Sequence, residues 1–161
     1  MASITGWDTH LGFELQLGKR QEAEVELLDR LLERYYRTTD IHIFGSDDNH
    51  NTSVSSSATM TLVLAQELTE ESIRHALVNG HAFVGQRAKS YPTIKGITVD
   101  EQMHTITLDI DGHNGITWFK DGEICTTGPV VDYSDMRDSI LRFTLKVEGR
   151  TFYSQAFLVG P

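Results

Sequence analysis

The chain has 161 residues, of which 39% are hydrophobic and 23% charged, a composition that excludes general disorder and suits one ordinary domain or two small modules. Lys and Arg total 14 against 23 Asp and Glu, a formal charge of −9, which excludes a basic nucleic-acid binder and a polybasic membrane anchor. The one cysteine, Cys125, rules out internal disulfides and a cysteine-only zinc cage, and with no signal-peptide pattern or membrane-length apolar run a cytoplasmic location is expected.

In chain order, Lys19 to Arg37 reads as an amphipathic helix. Val25, Leu28, Leu32 and Tyr35 form its apolar stripe, widened by Leu27, Leu31 and Tyr36. Ile41-His42-Ile43-Phe44 is a short buried-type strand, ended by Gly45 and a polar loop to Ser57. Met60, Leu62 and Leu64 alternate as a second strand. Thr69 suits a helix N-cap, Glu70 and Glu71 suit the first-turn dipole, and Gly80 stands where a C-cap glycine belongs. A short helix over 70–79 with Ile73, Ala76 and Leu77 inward is therefore predicted, followed by a strand near His81 to Val84.

Beyond Gly85 the pattern changes from helical to alternating. Residues 1–84 hold 13 acidic and 6 basic residues, whereas 85–161 hold 10 and 8 together with all three prolines. Ile97 to Val99, Thr105 to Ile110, Leu141 to Val147 and Thr151 to Val159 read as strands, with further short strands around Ile116-Trp118 and Ile124. They are punctuated by Asp111-Gly112, Asn114-Gly115, Asp121-Gly122 and Glu148-Gly149. Ile116, Trp118 and Ile124 are expected to face a core. Several short strands at this spacing suggest a small antiparallel sandwich.

The segment with chemical potential is Gly45-Ser46-Asp47-Asp48-Asn49-His50-Asn51. It leaves a hydrophobic strand directly, so its side chains gather at a strand's carboxyl end, where α/β folds place their sites. Asp48 and His50 are two apart and share one face of extended backbone. A carboxylate with an imidazole is a mixed O/N ligand pair suited to Zn, Mn or Fe. A polar loop built of Asx turns has the same composition. A calcium loop does not fit, because Ala58 stands where a terminal Glu is needed.

Gly45 to His50 resembles the last metal motif of PHP (polymerase and histidinol phosphatase) domains, a Gly/Ser-Asp-x-His pattern after a strand. Ala65 to Ile73, then Ala76-Leu77, Gly80 and Phe83-Val84, is similar to the strand–helix–strand segment that follows this motif in the subgroup with a C-terminal β-sandwich. Trp7-Asp8-Thr9-His10 and the helix with Leu27-Leu28 and Leu31-Leu32 resemble the segment upstream. The resemblance covers residues 5–85 by motif and 90–161 by pattern. It implies an α+β chain: a truncated α/β PHP-barrel remnant (1–85) followed by a small antiparallel β-sandwich (86–161). It also implies divalent metal at Asp48 and His50, with Asp47 as a second-choice ligand or hydrogen-bond partner, and a phosphoester small molecule as substrate.

The family's His-x-His, central ligands and His-Pro segment have no counterpart in this sequence. Two ligands seldom hold a catalytic metal, so the expectation is part of a metal-dependent phosphoesterase, inactive alone, that self-associates through exposed apolar surface and binds neither nucleic acid nor membrane. The alternative is a non-enzymatic binding or structural sandwich. His10, His75 and His81 read as solvated, His42 as a hydrogen-bonded core histidine, and Cys125 as an incidental thiol.

Overall fold

The computed structural model describes residues 11–18, 21–47 and 59–160, and of these 46% lie in strands and 18% in helices. The elements run β1 (Leu11–Leu15), α1 (Gln21–Tyr35), β2 (Ile41–Gly45), β3 (Thr59–Val63), α2 (Glu70–Val78), β4 (Ala82–Gln86), β5 (Thr93–Asp100) and β6 (Thr105–Asp111). There follow β7 (Gly115–Lys120), β8 (Glu123–Thr127), β9 (Val130–Asp132), β10 (Ile140–Val147), β11 (Arg150–Tyr153) and β12 (Phe157–Leu158). No helix among the described residues is long and apolar enough to cross a membrane.

A seven-stranded sheet in the order β3-β4-β11-β10-β7-β8, with β12 on β10, forms the centre. Every pairing in it is antiparallel. One face packs on the three-stranded sheet β5-β6-β9: Phe83, Trp118, Phe143, Leu145 and Phe152 meet Ile106, Leu108, Ile110 and Val131 in one buried cluster. The other face packs on α1 and the parallel pair β1-β2, where Val84, Ile140 and Tyr153 meet Leu15, Leu28, Leu32, Ile41 and Ile43. β10 is therefore covered on both sides, and seven of its eight residues are buried, the pattern of an interior strand.

This architecture corrects the expected fold class. The molecule is predominantly an antiparallel β-sandwich, and no α/β barrel pattern is present among the described residues. β1-β2 is the one parallel pair among the described residues. The decisive contacts are made by β4. Its Gly85 and Val84 pair with Phe152 and Tyr153 of β11, while Thr61 to Val63 of β3 pair with its Val84 to Ala82. Strands from the α-containing part of the sequence thus belong to the sandwich sheet. Hydrophobic periodicity records which faces are buried and carries no information on which strand is the neighbour.

Local expectations meet the structure at several points. Thr69 Oγ1 accepts from Ser72 N at 3.3 Å, and Gly80 has φ +67, a left-handed cap that glycine adopts without a Cβ penalty. Only the Leu28–Leu32 ridge of α1 is buried; Leu27 and Tyr35 are each 40% exposed. Asp121-Gly122 and Glu148-Gly149, all at positive φ, form the two-residue hairpin turns that link β7 to β8 and β10 to β11. Ile124 is a correction, being 67% exposed. An irregularity between Trp118 and Phe119 pairs it with Phe119, on the face away from the Trp118 core, at a sheet edge. The strand expected over 151–159 is broken into β11 and β12 around Ser154 to Ala156.

Candidate functional site

The two parallel strands end side by side, with Leu15 of β1 in register with Gly45 of β2. Ser46 N donates to Leu15 O at 3.4 Å, so the chain leaves β2 directly at this paired edge. Gly45 is dictated by proximity to β3: a Cβ there would lie 2.6 Å from Met60 O, and its N–H donates to Thr61 Oγ1 at 2.8 Å. Asp47 follows, half-buried, its Oδ1 accepting from Thr59 N at 2.6 Å. Thr59 in turn accepts from Leu17 N through Oγ1 at 2.8 Å. Asp47 and Thr59, twelve residues apart in sequence, are thus tied to each other.

Asp48 and His50, the principal expected ligands, lie outside the described residues, as does His10. Asp47 is the one expected site residue that is described, and one of its carboxylate oxygens already serves the Thr59 amide. Among the described residues no three His, Cys, Asp or Glu side chains are grouped to hold a metal ion. No reaction step follows from the described part alone.

Of the remaining candidates, His42, His75 and His81 lie around the end of α2, and Cys125 lies apart on β8. His42 is half-buried and its ring lies against Gly80, where a Cβ would come within 2.9 Å of Nε2. His75 and His81 are exposed, with ring centres 5.9 Å apart. Cys125 is exposed on β8, and such burial as it has pushes the thiol pKa up, away from the reactive range.

Two features have no local signature in the sequence. The first is a cleft of about 740 Å³ between β5 and the β3–β4 side of the central sheet, lined among others by Tyr36, His42, His81, Phe83, Ile97 and Phe157. The Tyr36 hydroxyl donates to Ala156 O at 2.6 Å, and burial, aided by Asp40, pushes its pKa up to about 12. The second is Gln155, buried where β11 gives way to β12. Its Oε1 accepts from Ile43 N at 2.7 Å, and its Nε2 donates to Ile43 O and Ala82 O, each at 3.0 Å. The amide bridges β2 to β4. Only the folded register brings a glutamine 112 residues away in sequence to those backbone groups.

Comparison with protein families, with curated proteins and with solved structures finds no match for the chain.

Proposed function

We propose that the chain contributes one metal-binding motif, Asp48 and His50, to a metal-dependent phosphoesterase. Zn, Mn or Fe is the ion and a phosphoester small molecule the substrate. The reading rests on the sequence pattern Gly45 to His50. The observation that favours it is the position of Asp47, tied to Thr59 N just past the adjoining carboxyl ends of β1 and β2, the end of a parallel pair at which ligands are commonly bound. Asp47 is a positioning residue in this reading: its carboxylate anchors the segment through Thr59 N. A divalent ion bound there would polarise a phosphoryl oxygen and lower the pKa of a bound water. Two protein ligands leave the coordination incomplete, so further donors must join them for hydrolysis.

Mn²⁺ titration by calorimetry tests the motif, because this ion prefers oxygen donors and binds weakly to imidazole alone. Wild type is expected to bind Mn²⁺, and Asp48→Ala and His50→Ala each to weaken binding about tenfold or more. Equal affinity in all three proteins would make the segment an ordinary polar turn.

The cleft beside β5 favours a second reading, a non-enzymatic binding module, since about 740 Å³ is a small-molecule volume. A fragment screen by NMR with shifts confined to Ile97, Phe83 and Phe157 would support it.

A further inference from the structure

α2 ends in a turn that returns the chain upon itself. His81 N donates to Ala76 O at 2.8 Å across six residues, with Gly80 between them at φ +67. This is the long bond of a Schellman cap, which carries the second residue past the helix back beside its last turn. That residue is His81, and the last turn holds His75. His81 O also accepts from Leu64 N of the neighbouring β3 end at 2.8 Å, so His81 is tied to both the helix and the sheet. His75 O accepts from Asn79 N at 3.1 Å and from Asn79 Nδ2 at 2.7 Å. Both histidines thus project from backbone held by hydrogen bonds.

Their ring centres stand 5.9 Å apart with planes inclined by 58°. An imidazole nitrogen binds Zn²⁺ at about 2.0 Å, which puts the ion about 3 Å from the ring centre and allows two rings on one ion to stand up to about 6 Å apart. The observed spacing lies at the outer end of that reach, so the rings must rotate toward each other to share an ion in a tetrahedral or bent arrangement. The two rings border a pocket of about 500 Å³ that Glu67 and Glu71 also line. Glu71 precedes His75 by four residues and so lies on the same helix face.

We propose that His75 and His81 form a second, surface metal site for an imidazole-preferring divalent ion, in the order Cu²⁺ above Ni²⁺ and Zn²⁺. No third protein ligand converges there, so water or an external oxygen or nitrogen donor in the pocket completes the coordination. The site lies at the start of β4, near His42 and the amino end of β2, and shares no residue with Gly45 to His50. The two sites are therefore independent, and this inference does not rest on the phosphoesterase reading.

Cu²⁺ titration in the His50→Ala background, followed by paramagnetic broadening of histidine ring signals, tests it. Broadening is expected first at His75 and His81. Because the second imidazole acts as an intramolecular ligand, His75→Ala and His81→Ala are each expected to weaken Cu²⁺ binding about 100-fold. Thermal unfolding without metal should be unchanged in both variants, since both side chains are exposed. Broadening that begins elsewhere, or equal Cu²⁺ affinity with either histidine removed, would overturn the site.

Discussion

Gln155 does with a side chain what a strand does with its backbone. The strand beside β10 is interrupted between β11 and β12, and β2 runs beside β4 without a ladder of its own to it. The Gln155 amide supplies an acceptor for Ile43 N and donors for Ile43 O and Ala82 O. These are buried groups, and leaving them unpaired carries the full desolvation penalty. Gln155→Ala is expected to destabilise the protein by about 2–3 kcal/mol, measured by urea unfolding, and to speed hydrogen exchange at the Ile43 amide. A change below about 0.5 kcal/mol with Ile43 still protected would show that water replaces the amide at little cost.

At the scale of elements, α1 is held to the sandwich by apolar packing and by one ion pair. Arg142 of β10 is 3% exposed; its Nε and Nη2 donate to the two Asp29 oxygens at 2.7 Å each. Its guanidinium lies 4.0 Å from the Phe119 ring centre, a cation–π contact that suits arginine's flat charge. Removing one partner of such a pair strands a buried charge. Asp29→Ala is therefore expected to cost about 3 kcal/mol or more, whereas Asp29→Leu with Arg142→Met recovers most of that loss. Urea unfolding of the single and double variants checks it. A double variant no more stable than Asp29→Ala would mean that packing around Phe119 and the helix, and not the stranded charge, sets the effect.

The whole molecule is organised by a central sheet with two covered faces. Phe83 packs on the three-stranded sheet and its neighbour Val84 on the α1 layer, so neither layer can leave without exposing β4. A single cooperative transition is expected. Loss of α1 helicity by circular dichroism and change in Trp118 fluorescence, in a Trp7→Phe background, should coincide in urea. Two separated midpoints would instead show residues 1–85 and 86–161 unfolding as independent units.

Much of this was legible from local pattern. The α1 helix with its Leu28–Leu32 ridge, the Thr69 cap, the Gly80 stop and the Asp121-Gly122 and Glu148-Gly149 turns are short-range properties of neighbouring residues, and the structure has each where the sequence places it, although Leu27 and Tyr35 of the expected stripe are exposed. β1 escaped notice because Leu11-Gly-Phe-Glu-Leu15 is short and glycine weakens its strand pattern. The Asp-x-His motif could be read, as could the strand before it, yet Asp47's tie to Thr59 spans twelve residues and no local rule connects them. The enrolment of β3 and β4 in the sandwich sheet, the Asp29–Arg142 pair, the Gln155 bridge and the meeting of His75 with His81 were decided by tertiary structure. Sequence by itself determined both helices, most of the strands and the turns between them, because propensity, capping and turn chemistry act within a few residues. The partners of those elements were left to the folded state, because burial rewards any apolar face equally, and only packing of the whole chain selects which faces meet.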